Sequence, residues 1–119
     1  MPAHAPPATA EQPDACVVMT TLGSQAAAEQ LAGQLLDERL AACVQLLPIQ
    51  SFYVWKGERC QEPEVLLMIK TRRSLWPALQ AFVQARHPYE VPELLQLPVD
   101  AGWPAYLAWL RGQTRSAVI

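Results

Sequence analysis

Eight consecutive residues carry most of the reactive chemistry in this sequence: Arg86-His87-Pro88-Tyr89-Glu90-Val91-Pro92-Glu93. They bring together a guanidinium, an imidazole, a phenol and carboxylates, and the prolines restrict the backbone between them. Such rigidity suits a ligand site, because little conformational entropy is lost on binding. The His87 imidazole can hold a soft or borderline cation, and Glu90 or Glu93 can add an oxygen ligand. Spacing alone favours a plainer reading, in which a proline-punctuated connection uses its histidine to satisfy backbone groups.

A second set of groups lies earlier in the chain. Tyr53 and Trp55 flank the turn of a long hairpin, where they wall a pocket or, more simply, anchor an interface. Glu64 and Lys70 bracket an apolar run and could pair between subunits, or Lys70 could face an anionic ligand. Tyr53, Trp55 and Lys70, taken with His87 and Tyr89, outline a cleft for a small anion or a partner segment. Covalent catalysis needs a nucleophile beside a base, and the one histidine outside the N-terminal tail is His87. The sequence contains no phosphate-binding G-x-x-x-x-G-K-[ST], no G-x-G-x-x-G, no H-E-x-x-H and no nucleophile elbow. An enzyme is not expected.

Positioning these groups falls to a β-α-β-β-α-β-α succession. Cys16-Val17-Val18-Met19-Thr20-Thr21 reads as a buried strand, and Gly23 ends it. Ser24 N-caps a helix expected to run to Leu40, with Ala27, Leu31 and Leu35 on its core stripe. Cys43 to Trp55 and Glu64 to Lys70 form the arms of a long hairpin turning on Lys56-Gly57-Glu58-Arg59, with Gly57 free to take a positive φ. Pro48 is expected to mark a bulge or bend in the first arm. Ser74 is expected to cap a second helix bearing Leu75, Leu79, Phe82 and Val83, which Pro88 stops. A short strand over Leu94 to Leu97 and a helix opened by Pro104 complete the chain, with Gly112 as the stop. Two β-α-β units joined by a hairpin give an α+β, ferredoxin-like βαββαβ sandwich with an additional C-terminal helix. That helix is expected to cap a sheet edge or lie at a subunit contact. The apolar arms exceed what one small domain can cover, so another copy of the chain is the expected partner.

A single domain over residues 14–115 fits a length of 119 residues, with residues 1–13 (MPAHAPPATAEQP) as a disordered tail. Hydrophobic content of 51% with 17% charge is globular, and no apolar run is long enough for a transmembrane helix. A formal net charge of −2 gives no general attraction to nucleic acid or anionic membrane. Three cysteines, Cys16, Cys43 and Cys60, make no disulfide framework and no CxxC site. They suit a reduced, cytoplasmic chain.

Several motifs together resemble one family. Leu40-Ala41-Ala42-Cys43-Val44, the Tyr53-x-Trp55-x-Gly57 turn, Ile69-Lys70-Thr71, His87-Pro88-Tyr89-Glu90-Val91-Pro92-Glu93 and Tyr106-Leu107-x-Trp109 occur in the order found in the CutA family of divalent-cation tolerance proteins. The resemblance covers roughly residues 15–114. It implies a ferredoxin-like subunit akin to the PII signalling proteins, assembled as a tight homotrimer whose hairpin arms reach neighbouring subunits. It also implies a role in divalent-metal tolerance, with copper binding among bacterial members and protein assembly or anchoring among eukaryotic ones. No catalytic activity comes with the family. The copper-binding pattern has a cysteine at the end of the first strand and two histidines before Pro-Tyr. Here Thr20 and Arg86-His87 stand at those positions, so His87, helped by Glu90, is the metal candidate that remains, with a divalent cation such as Cu(II) as the implied cofactor. The alternative is a PII-like signalling or interaction scaffold without a physiological metal, whose intersubunit cleft takes a small ligand or a partner protein.

Overall fold

β-Branched and large apolar side chains mark four strands, the 58–63 end of the third excepted: β1 (Ala15–Leu22), β2 (Cys43–Trp55), β3 (Glu58–Arg72) and β4 (Leu94–Pro98). Three helices separate or follow them: α1 (Gln25–Asp37), α2 (Trp76–Arg86) and α3 (Pro104–Gln113). The structure is a computed structural model, and it describes residues 13–117. The expected tail falls almost wholly outside them.

One antiparallel sheet has the order β2-β3-β1-β4, which is the expected ferredoxin-like arrangement. The pairs Cys16↔Thr71, Val18↔Ile69, Thr20↔Leu67 and Leu22↔Val65 put one row of side chains on a common face, and every one is buried. Leu31 and Leu35 of α1 and Leu79 and Val83 of α2 close over that row. Removing this apolar surface from water is the main stabilising term, at about 25 cal/mol per Å². The opposite face carries Val17, Met19, Leu66 and Met68, with Leu47, Leu95 and Leu97 substantially exposed. So the run from Val65 to Ile69, whose apolarity suggests burial on both sides, is covered on one side only within the protomer.

Local chemistry sets the element ends. Ser24 caps α1, its Oγ accepting from the Ala27 N–H at 3.1 Å. α1 stops at Asp37, short of Leu40. Arg39 turns left-handed (φ 55°), and the Arg39 and Leu40 N–H groups donate back to the Leu36 and Leu35 carbonyls. Ser74 does not cap α2. It lies in a short 3-10 turn and donates to Asp14 instead, while Pro77 sits in the first turn of the helix.

The hairpin turn is tighter than expected. Trp55 pairs with Glu58, which leaves Lys56 (φ 51°) and Gly57 (φ 81°) as a two-residue turn with both residues left-handed. β3 therefore begins at Glu58 rather than Glu64. Pro48 makes no bulge: it opposes Val65 in an unbroken register. β2 is an outer strand, where a proline can turn its missing N–H away from the ladder. β1 reaches only as far as Val65 on β3, so the seven rungs from Ile49↔Glu64 to Trp55↔Glu58 project alone. At 3.3 Å per residue this arm extends about 20 Å past the sheet. It gives the protomer a long axis of 59 Å against 30 and 23 Å. α3 packs against β1 and β3 rather than along an outer strand. Arg72 fixes the residues that follow α3: Nε donates to Thr114 Oγ1 at 3.0 Å, and Nη2 donates to the Arg115 carbonyl.

Candidate functional site

The 87–93 connection is pinned to the end of β1 by two hydrogen bonds. Pro88 forces His87 into an extended conformation (φ −77°, ψ 132°), which aims the imidazole across the sheet end. There Nε2–H donates to the Thr21 carbonyl at 2.7 Å, and Nδ1 accepts the Tyr89 N–H at 3.2 Å. This pairing selects the neutral tautomer with its proton on Nε2. The neighbouring Thr20 is fully buried and donates from Oγ1 to the Glu93 carbonyl at 2.7 Å.

The connection then meets the hairpin arm. Tyr89 donates from its phenol to Glu64 at 2.8 Å, and Tyr53 donates to Glu62. At the tip, Lys56 Nζ lies 3.9 Å from Glu90 and 5.6 Å from the centre of the Trp55 ring. A cleft of about 650 Å³ opens between arm and connection. Its walls include Phe52, Tyr53, Trp55 and Tyr89, and its carboxylates are Glu62, Glu64, Glu90 and Glu93. Among the described residues, no arginine, lysine or histidine lines it. The phenol protons are firmly held. Tyr53 is raised above the ordinary tyrosine range chiefly by its bond to Glu62, and Tyr89 is pushed up to about 12 by burial and by its bond to Glu64. Both tyrosines act as neutral donors that orient ionised carboxylates.

Four of the expected site residues meet here: Tyr53, Trp55, Tyr89 and Glu90 line the cleft. His87 stands behind it, holding Thr21. Lys70 is elsewhere, opposite Cys43 at the far end of the hairpin, about 40 Å along the strands from the Trp55↔Glu58 rung. Without Lys70, the lining has the character of a cation site rather than an anion site. Glu62, together with Glu64 as a wall residue, went unforeseen because residues 58–63 lack an apolar strand pattern. Continuing the hairpin register past Glu64 would have placed both, since Ser51 and Ile49 oppose them.

The donor set expected for copper does not assemble at the junction. Both His87 nitrogens are committed to backbone groups, and the Thr20 hydroxyl is spent on Glu93. Arg86 brings a fixed positive charge, stacked 3.5 Å from the centre of the Phe82 ring. Cys16 is fully buried, and burial pushes its thiol up to about 11, away from the thiolate that binds metals. Among the described residues, no three His, Cys, Asp or Glu side chains are grouped to hold a metal ion.

Comparison with known proteins agrees with the fold. The sequence model of the CutA1 divalent ion tolerance proteins matches residues 16–113. The divalent-cation tolerance protein CutA of Thermus thermophilus is 44% identical over 99 residues, covering 82% of this chain and 96% of that protein. Protein CutA of mouse is 48% identical over 97 residues, or 81% of this chain. This chain spans about half the length of the mouse protein, 55% of it. The crystal structure of CutA1 from Oryza sativa superimposes with a TM-score of 0.84 at 44% identity, covering 87% of this chain and 96% of that one. With nearly the whole described chain accounted for in both sequence and fold, the protein belongs to the CutA1 divalent ion tolerance family.

Proposed function

We propose that this protein serves the cellular response to excess divalent cations, acting as a homotrimer and as a binding protein rather than an enzyme. The observation that carries the role is the family match over residues 16–113, together with relatives named for divalent-cation tolerance. The physical case for self-assembly is separate. A projecting two-stranded arm with Phe52 66% and Val54 67% exposed is a poor structure in water, and so is an apolar sheet face bearing Leu47, Leu95 and Leu97. Neighbouring copies covering both would resolve the two exposures at once. Free Cys16, Cys43 and Cys60 are consistent with a reducing compartment such as the cytoplasm. Among the described residues, no helix is long and apolar enough to cross a membrane.

The test is complementation. A bacterial strain deleted for its own CutA-family gene would be grown on graded copper, zinc and cobalt salts with and without this chain. Restored tolerance supports the role, and a correctly assembled protein that restores none sinks it.

A second reading has its own support. The copper donor set does not assemble, whereas an acidic, aromatic cleft does, which favours a scaffold that binds a small ligand there.

A further inference from the structure

We infer that the cleft between the hairpin arm and the 87–93 connection binds a small linear organic polycation, a di- or triamine, through its ammonium groups. This rests on the ligand-binding reading above and gives that ligand a chemical class.

Size argues first. A space of about 650 Å³ is that of a small-molecule site, far larger than a bare metal ion needs. Charge argues next, since four glutamates line the cleft with no basic side chain among them. Glu62 and Glu64 stand two residues apart on β3, about 7 Å along the strand, and Glu90 and Glu93 face from the connection. Carboxylates distributed in this way match separated ammonium groups better than one compact cation. The bonds from Tyr53 and Tyr89 use part of the acceptor capacity of Glu62 and Glu64. A divalent metal wants several converging oxygens, whereas an ammonium needs fewer and also gains from aromatic faces.

The protein shows such an ammonium in place. Lys56 Nζ sits 3.9 Å from Glu90 and 5.6 Å from the centre of the Trp55 ring, a carboxylate-and-indole seat at the mouth of the cleft. The Lys56 and Glu90 side chains are 71% and 72% exposed, so the pair is weak and a better-placed ammonium can displace it. Lys56 also occupies a left-handed turn position that suits asparagine better. Lys56→Asn therefore removes the resident ammonium without harming the turn.

Titration calorimetry of the full-length protein with spermidine in 0.15 M salt tests the inference. Saturable micromolar binding is expected, weakened about tenfold by Trp55→Leu and by Glu90→Gln, and strengthened several-fold by Lys56→Asn. Glu90→Gln changes a side chain 72% exposed in the protomer, so it decides the matter if Trp55→Leu misfolds. No saturable heat from wild type and Lys56→Asn would overturn the inference. Binding that ignores folded Trp55→Leu and is competed equally by Mg²⁺ would overturn it too, leaving a diffuse acidic surface. A protein that rescues metal tolerance yet takes no spermidine refutes this inference alone.

Discussion

His87 Nε2 lies 2.7 Å from the carbonyl oxygen of Thr21, a residue 66 positions earlier in the chain. The imidazole is thus a strap between the end of β1 and the connection that walls the cleft.

Removing the strap should affect stability and leave copper alone. His87→Ala frees the Thr21 carbonyl and the Tyr89 N–H, which should cost about 1–3 kcal/mol in chemical denaturation. A calorimetric Cu(II) titration of the full-length variant should match wild type within about twofold, because the imidazole nitrogens are already engaged. A submicromolar copper site that disappears in His87→Ala would show that the metal displaces the strap.

The arm should govern assembly. Val54 is 67% exposed and lies two rungs from the turn, so Val54→Glu barely touches the protomer core. Light scattering should report a trimer for wild type at low micromolar concentration and smaller species for the variant, with the circular dichroism of the folded chain retained. A variant that stays trimeric would remove the arm from the interface.

Alkaline pH should destabilise the protein through Cys16. Burial raises this thiol from 9.0 to about 11, with the Asp14 carboxylate adding and Arg73 opposing. The unfolded chain then loses its proton first. The contribution is complete below pH 9 and is lost as pH rises toward 11, at about 1 kcal/mol per unit. Tyr89, raised from 10.0 to about 12, adds a loss of the same sign at higher pH. Urea melts from pH 8 to 11 should show this decline, and Cys16→Ala should flatten it between 9 and 11. An equally steep decline in Cys16→Ala would assign it to other groups.

Arg72 should hold the residues that follow α3. Its guanidinium bonds Thr114 and Arg115 and lies 3.8 Å from Asp14, with the side chain only 17% exposed. Arg72→Ala should cost about 1–2 kcal/mol and accelerate amide exchange at residues 111–115. Unchanged exchange there would mean that Arg39, which donates to the Gly112 carbonyl, suffices.

Much of the fold was legible because several signals agreed. Serine at position 24 beside an apolar stripe marked α1, and continuous apolarity marked the central part of β3. The rest depended on partners distant in sequence. Glu58 to Pro63 is strand because β2 pairs with it, not because its own residues favour strand. Ser74 looked like a cap, yet Asp14, 60 residues away, takes its hydroxyl. At the site, Tyr53, Trp55, Tyr89 and Glu90 were legible as chemistry and did converge. Lys70 was misplaced because the chemistry of its ammonium was weighed without its rung, which sets it opposite Cys43. That His87 would be occupied by the Thr21 carbonyl depends on how β1 ends against the connection, which no local pattern encodes.

The two-residue turn at Lys56-Gly57 also orders events in time. Its first rung joins Trp55 to Glu58, and each further rung extends the last, whereas β4 meets β1 only across pairs such as Cys16↔Pro98. Short loops close quickly and hairpins zip in about 1–10 μs, while distant pairings wait for the chain to collapse. The arm should be built before the sheet that carries it, so pulse-labelled amides should gain protection at Tyr53, whose N–H faces Cys60 across the ladder, before Leu97. A nascent chain would thus present its most apolar limb to sister chains while its own last strand is still undocked.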